Sequence, residues 1–98
     1  MSSPVSKQEF LESKATNFKA YLERYNPSDK VRDYITHFSS DQLIPTIATK
    51  IIPLKAVNGI EASAAQLLQE LQVDEGDKDA VKNKIIAYMN MFASVVME

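Results

Sequence analysis

Cysteine is absent from the chain, which excludes disulfide bonds, thiolate metal sites and a cysteine nucleophile. Glycine occurs only as Gly59 and Gly76, too few for the turns of a β-rich domain and too far apart for a phosphate-binding loop. A serine nucleophile elbow is also missing, and His37 is the single histidine that could act as a base. The residues present form no catalytic set and no cofactor motif, so we expect a protein that is not an enzyme and binds no cofactor.

Long runs of one charge and long apolar runs are missing as well. The chain has 11 basic and 13 acidic residues, a net charge of −2 and no block of lysines or arginines, which disfavours nucleic acid as a partner. Its most apolar stretch, 85–97, is shorter than the ~20 residues that span a bilayer. Residues 1–4 lack the basic and apolar regions of a signal peptide. Together with the absence of cysteine, this predicts a soluble, intracellular and cytoplasmic protein.

Length and hydrophobic period predict the fold class. The 98 residues, 45% of them hydrophobic, suit one domain over 1–98, of which we expect 1–5 to be disordered. The apolar residues recur with the 3.6-residue period of helices, which predicts an all-α, compact bundle of about five short helices. The predicted ranges are approximately 6–26, 27–38, 41–52, 61–72 and 77–97.

The boundaries of the first two helices follow from their ends. Ser6 and Glu9 have the spacing of a capping box, in which each side chain satisfies the other residue's backbone N–H. Pro27 disfavours the α conformation in the residue before it, so the first helix should end near Asn26. Asn26 can also cap the second helix, with Pro27 in the first helical position, where proline is favourable.

The third segment is the hardest to assign. Ser39 and Gln42 have the spacing of another capping box, but Pro45 lies too deep for an undisturbed helix that begins there. We predict a short turn and then a helix that restarts near Pro45 and ends before Pro53. A strand is the alternative, because the region is rich in β-branched residues. One more helical turn then leads to Gly59, the predicted left-handed stop.

Two groups of residues suggest a metal site. His37 lies four residues from both Asp33 and Asp41, so a continuous helix would place all three on one face. Structural metal sites usually need four good ligands, and we favour a structural role for His37 at a helix end. The second group surrounds a glycine and comprises Asp74, Glu75, Asp77 and Asp79. Its spacing fits no EF-hand register, so we expect no metal.

Tyrosines near basic residues suggest base stacking on nucleic acid. The residues concerned are Tyr21, Tyr25, Tyr34 and Tyr88, with Lys14, Lys19 and Arg24. The tyrosines lie on or beside the apolar stripes of the predicted helices. We therefore favour core packing, in which a buried aromatic ring keeps one polar tip near water.

The last predicted helix is apolar nearly all round. From Ile85 onward, only Asn90 and Ser94 are polar before Glu98. Such a helix is buried in its own fold or against a partner, and methionine often lines partner-binding surfaces. The candidate interface residues are Ile85, Met89, Met91, Phe92, Val96 and Met97.

These observations favour a non-enzymatic protein–protein interaction protein or structural subunit, with the C-terminal helix as core, interface or both. The partner would be another protein or a second copy of the chain in an oligomer. Two alternatives stay open. One is a small helical carrier of a lipid or other apolar ligand. The other is a helix-turn-helix nucleic-acid binder formed by the second and third segments, which the charge and the missing turn glycine disfavour.

Overall fold

Every regular element in the described part of the chain, residues 6–39 and 41–98, is helical in the computed structural model. The helices are α1 (Lys7–Glu23), α2 (Asp29–Thr36), α3 (Leu43–Ala56), α4 (Ile60–Gln69) and α5 (Lys78–Met97). The predicted all-α bundle is thereby confirmed, with a Cα radius of gyration of 13.6 Å. That value is close to the ~13 Å of a compact chain of about 100 residues. The prediction that 1–5 are disordered falls outside the described residues.

The first helix begins where its capping motif predicts. The Ser6 hydroxyl accepts a 3.1 Å hydrogen bond from the Glu9 backbone N–H, which satisfies one donor of the first turn. The buried stripe of α1 consists of Leu11, Ala15, Phe18 and Leu22. The helix ends at Glu23, before the predicted Asn26, because Asn26 adopts a left-handed conformation with a φ of 50°. That conformation turns the chain out of the helix.

The predicted cap of the second helix at Asn26 is wrong. Ser28 caps α2 instead, and its hydroxyl accepts a 3.4 Å hydrogen bond from the Val31 N–H. Pro27 is buried ahead of the helix rather than forming its first position. α2 therefore spans fewer residues than the predicted 27–38.

Two backbone hydrogen bonds join the α1–α2 link to the α4–α5 link. The Ser28 N–H donates to the Glu70 carbonyl oxygen at 2.9 Å, and the Gln72 N–H donates to the Tyr25 carbonyl oxygen at 2.8 Å. The residues after Gln69 are thus used in this contact between links, and α4 ends there rather than near 72. The paired links satisfy backbone groups that the helix ends leave open.

The third segment is helical, but it is not a uniform α-helix. It consists of α-helical Leu43–Thr46, π-helical Ile47–Ile51 and α-helical Ile52–Ala56. In the π-helical part, the Ile52 N–H donates to the Ile47 carbonyl oxygen five residues back. This wider turn places Pro53 in the first turn of the next α-helical part, where proline needs no N–H partner. The predicted break before Pro53 is therefore absent, and the further helical turn predicted towards Gly59 is present as Ile52–Ala56.

The predicted capping box at the start of the third segment is also wrong. α3 begins after Gln42, whose side chain makes no capping hydrogen bond. The Ser39 hydroxyl donates instead to the Asp41 carboxylate at 3.2 Å. The later start places Pro45 in the first turn of α3, where proline is tolerated. The predicted turn before the restarted helix is therefore present.

The stop between α3 and α4 lies one residue earlier than predicted. Asn58 adopts the left-handed conformation with a φ of 56°, whereas Gly59 has an ordinary φ of −96°. The Gly59 N–H donates to the Leu54 carbonyl oxygen at 2.6 Å and so satisfies an acceptor at the end of α3. Asparagine tolerates this conformation better than most residues, which explains the exchange of roles.

The last helix is the centre of the core. α5 packs against α1, α3 and α4 and buries the side chains Val81, Ile85, Met89, Phe92 and Ala93. Three phenylalanines from different parts of the chain meet beside it. The Phe18 ring centre lies 5.6 Å from that of Phe38 and 5.7 Å from that of Phe92, with edge-to-face orientations. Such pairs are stabilising beyond the area they bury.

Candidate functional site

The structure divides the candidate interface residues of the last helix into two groups. Ile85, Met89 and Phe92 have no exposed surface and lie in the chain's own core. These three residues have no surface to offer a partner in this conformation. The other three are half-buried Met91 and Val96, which pack against the edge of the core, and Met97, which is 61% exposed.

The half-buried side of α5 lies along α1. The two helices run antiparallel, because Lys7 at the start of α1 donates a 2.9 Å hydrogen bond from Nζ to the backbone oxygen of Glu98. Towards the other end, the Lys84 ammonium lies 5.7 Å from the centre of the Tyr21 ring. Side chains of both helices line two open clefts between these points, and we call these two clefts together the α1–α5 groove.

The floor of the α1–α5 groove is apolar and aromatic. A cleft of about 440 Å³ at one end is lined by Lys7, Phe10, Val95 and Glu98. A second cleft of about 250 Å³ further along is lined by Lys14, Lys84, Ala87, Tyr88 and Met91. Both clefts are open to solvent, so the groove presents apolar side chains that no other part of the described chain covers.

Lysines stand over the aromatic rings of the groove. The Lys14 ammonium lies 5.4 Å from the centre of the Phe10 ring. Lys84 has the same relation to Tyr21, at 5.7 Å. Such cation–π contacts are weak at exposed sites. In the described part of the chain neither lysine forms an ion pair with a carboxylate, so both positive charges stay available to a partner.

Acidic residues of α1 lie away from the groove. Glu23 pairs with Arg32 of α2 at 3.4 Å, and Glu12 accepts a 2.7 Å hydrogen bond from Gln8. Among the residues that line the two clefts, Glu98 at one end is the single acid. The chain as a whole has a net charge of −2. The groove is therefore a locally positive surface on an acidic protein.

Arg24 extends the positive surface past the end of α1. Its guanidinium lies 5.9 Å from the ring centres of both Tyr21 and Tyr25. Burial, followed by a hydrogen bond with Tyr25, raises the pKa of Tyr21 to about 12. The Tyr21 side chain therefore stays neutral at physiological pH and does not offset the positive charge beside it.

The tyrosine rings are packed rather than free. The Tyr88 ring centre lies 5.0 Å from that of Phe18 and 6.1 Å from that of Phe92, and the latter pair is stacked. Tyr21 and Tyr25 contact each other edge to face at 5.4 Å. All three are half-buried against the core, which agrees with the packing interpretation of the tyrosines. Ring faces that are covered in this way are poor platforms for bases.

A separate cleft, outside the α1–α5 groove, lies between α2 and α4. It has a volume of about 460 Å³ and is lined by Lys30, Val31, Tyr34, Ser63, Gln66, Leu67, Gln69 and Glu70. Most of these side chains are polar, unlike the lining of an apolar-ligand site. The Tyr34 hydroxyl is buried without a hydrogen-bond partner, and burial raises the pKa of Tyr34 to about 12. Because solvent does not reach this hydroxyl, it does not serve the cleft as a donor.

The outer side of α3 is a second exposed apolar surface. Its exposed side chains include Pro45, Ala48, Pro53 and Ala56, and Val57 just beyond the helix is 74% exposed. This surface is convex and consists mainly of small or rigid side chains.

No single helix of the described residues is long and apolar enough to cross a bilayer. Only α3 and α4 taken together meet that test of length and composition, with a bend of 116° between them.

His37 has a local structural role. Its Nδ1 lies 3.4 Å from the Gln42 side-chain oxygen, and its backbone oxygen accepts a hydrogen bond from the Thr46 hydroxyl. The proposed partners Asp33 and Asp41 do not join it in a site. Within residues 6–39 and 41–98, no group of three His, Asp or Glu side chains could hold a metal ion.

The groove is not evident from the sequence, although α1 has a signal for it. Lys7, Phe10, Lys14 and Tyr21 recur with helical spacing beside the buried stripe. Only the pairing of α1 with α5 shows that Met91 and Lys84 lie on the same surface as these residues of α1. No family model matches the chain, and no curated protein or solved structure shows significant similarity to it.

Proposed function

We propose that the protein is a non-enzymatic protein–protein interaction module and that its partner docks on the α1–α5 groove. The observation that supports this is an apolar and aromatic surface bordered by Lys14 and Lys84, neither of which forms an ion pair with a carboxylate of the described chain. Contiguous exposed apolar surface rimmed by polar groups is typical of interaction sites. Binding hot spots are also enriched in tyrosine and arginine and cluster in pockets.

The groove is a better docking surface than the outer side of α3. Phe10 is 37% exposed, and the half-buried Tyr88 and Met91 offer large side chains in a recess. The α3 surface instead offers Ala48, Ala56 and two prolines on a convex helix. Small side chains on a convex surface leave little area for a partner to desolvate, so they make weak anchors.

The two alternatives from the sequence find less support. The largest cleft described above is open and mainly polar, which does not suit a carrier of an apolar ligand. A nucleic-acid binder needs a broad basic face, and the groove offers few cations on a chain with a net charge of −2. We propose an intracellular, cytoplasmic location on the basis of the cysteine-free composition.

Site-specific photo-crosslinking in cells that express the full chain tests the docking surface. A photoreactive residue in place of Met91 should form a covalent adduct with a defined protein or with a second copy of the chain. The same residue at Ala48, on the outer side of α3, is the matched control. Phe10→Glu should abolish the adduct at position 91 while the far-UV circular dichroism stays unchanged. Equal adducts at both positions, or an adduct that survives Phe10→Glu, would contradict the proposal.

A further inference from the structure

The cations of the α1–α5 groove are regularly spaced along α1. Lys7 and Lys14 are seven residues apart, which corresponds to about 10.5 Å along a helix axis. Tyr21 follows after another seven residues, and Lys84 of α5 lies beside its ring at 5.7 Å. The lysine positions therefore recur about every two helical turns, with apolar clefts between them. Because the Lys7 ammonium is bonded to the backbone oxygen of Glu98, Lys14 and Lys84 are the cations that stay open to a partner.

From this spacing we infer that the segment docked in the groove is an acidic amphipathic helix with carboxylates at every seventh residue. The inference rests on the proposed function and identifies the chemistry of its partner. Residues seven apart lie on nearly the same side of a helix, so acids at i and i+7 would meet Lys14 and Lys84, and a third acid at the far end would reach Lys7 in competition with Glu98. Apolar residues between the acids would cover Phe10 and Met91.

A helix fits the groove better than an extended chain. The surface between two antiparallel helices has ridges at intervals of three and four residues, into which a third helix packs. The distance from Lys7 to the level of Tyr21 is about 21 Å, the length of a helix of about 14 residues. Helices that insert apolar residues at i, i+3, i+4 and i+7 into such grooves are a recurrent mode of peptide recognition.

A second copy of the chain fits the groove poorly. In a twofold symmetric dimer, the same patch of both copies meets at the interface. The charged residues that would meet come from a lining of three lysines and one acid, so most of the facing charges would be alike, which disfavours association. A partner of opposite charge relieves the repulsion among the lysines. Charge complementarity therefore favours an acidic partner over self-association.

Binding of synthetic peptides to the full chain tests this inference by fluorescence anisotropy. The first probe is an amphipathic helical peptide of about 18 residues, with Glu at every seventh position and Leu at the positions between them that would face the groove. The second has the same composition, with the Glu residues moved to other sides of the helix. We expect the first peptide to bind at least about tenfold more tightly. Equal affinities would overturn the inferred charge register and leave groove docking intact.

Charge reversal gives a sharper test in the same assay. The triple variant Lys7→Glu, Lys14→Glu and Lys84→Glu should lose the acidic peptide and prefer the same peptide with Lys in place of Glu. The control Lys19→Glu, Lys30→Glu and Lys50→Glu reverses three lysines that line neither groove cleft and should keep the original preference. Unchanged circular dichroism shows that each variant is folded. A groove variant that keeps the original preference would overturn the inference.

The remaining outcomes separate the inference from the proposed function. A fluorescent single-stranded oligonucleotide that binds more tightly than the acidic peptide would identify a nucleic-acid site and overturn both. If no peptide binds while the Phe10-dependent crosslink at position 91 persists, the partner chemistry is wrong and the docking surface is correct. If neither peptide binding nor the crosslink is observed, the proposed function itself fails.

Discussion

The Thr46 hydroxyl donates a 2.9 Å hydrogen bond to the backbone oxygen of His37 and so joins α3 to the end of α2. Thr46 is the buried polar residue of the described core, with an exposed fraction of 6%. The carbonyl groups at the end of a helix lack partners within the helix. The bond therefore satisfies a polar group that the end of α2 leaves open and fixes the direction in which α3 begins.

Thr46→Val should destabilise the protein by about 1–2 kcal/mol, because it removes the donor and leaves the His37 carbonyl without its partner. Urea denaturation followed by circular dichroism measures the change. Thr46→Ser keeps the hydroxyl and should lose less stability than Thr46→Val. If valine were as stable as threonine, the hydrogen bond would have no net role in joining the two helices.

Met89→Lys should unfold the protein and Met91→Lys should leave it folded, although the residues are two positions apart. Met89 has no exposed surface, and an unpaired charge there would cost about 3–5 kcal/mol, a large part of the stability of a small domain. Met91 lines the α1–α5 groove, where a lysine side chain can reach solvent. Thermal denaturation should show loss of the cooperative transition for the first variant only. Similar unfolding of both would place Met91 in the core.

Tyr34→Phe should stabilise the protein by about 1 kcal/mol at neutral pH. The substitution removes a buried hydroxyl that has no hydrogen-bond partner, and burying such a group costs free energy. Tyr21→Phe is the contrasting variant, because Tyr21 is half-buried and its hydroxyl is not among the buried groups that lack a partner, so its loss should give no such gain. A loss of stability on Tyr34→Phe would show that the hydroxyl has a partner in solution.

The raised pKa of Tyr34 also predicts that the stability of the protein depends on pH in the alkaline range. Burial raises the pKa of Tyr34 from 10.0 to about 12, so the folded state holds the phenol proton more tightly than the unfolded state. The contribution of the neutral phenol to stability is complete below pH 10 and is lost as the pH rises from 10 to 12. Urea midpoints measured across this range should fall less for Tyr34→Phe than for the natural chain.

Asn58→Ala should cost about 1 kcal/mol, whereas Gly59→Ala should stay within about 0.5 kcal/mol. Asn58 has a φ of 56°, which a Cβ-bearing residue without a local polar group adopts at a cost. A Cβ at Gly59 would lie 3.3 Å from the Leu54 Cδ2 atom, at the flexible end of a side chain. Chemical denaturation of the two variants compares them directly. If Gly59→Ala lost more stability than Asn58→Ala, Gly59 rather than Asn58 would be the residue that ends the helix in the left-handed conformation.

Local sequence predicted the start of α1 and the range of α5 correctly, whereas the local signals at Ser39 and Gly59 misled. The capping box of Ser6 and Glu9 and the 3.6-residue period of the apolar stripes are signals within one helix, and they placed α1 and α5 closely. The cap at Asn26 was wrong because Ser28 is held by a backbone bond to Glu70, far away in sequence. Such long-range pairing leaves no trace in the residues around the cap.

The candidate site was harder to predict because it belongs to two helices. The apolar composition of the last helix identified α5 as exceptional, but it could not show which side faces solvent. Ile85 and Met89 are buried and Met91 is not, which follows from the packing of α5 between its neighbours. The charge of the groove depends on the same pairing, since Lys14 and Lys84 are 70 residues apart and meet only in the folded chain.

The π-helical part of α3 has a consequence for how this sequence can change in evolution. A turn closed over five residues holds one residue more than an α-helical turn of the same shape, so Ile47–Ile51 contains a residue that a shorter homologue could lack. Deleting that residue alone would place Pro53 inside a continuous α-helix, where its ring collides with the preceding turn. We therefore expect the extra residue and the proline to be gained or lost together, as a pair of coupled changes.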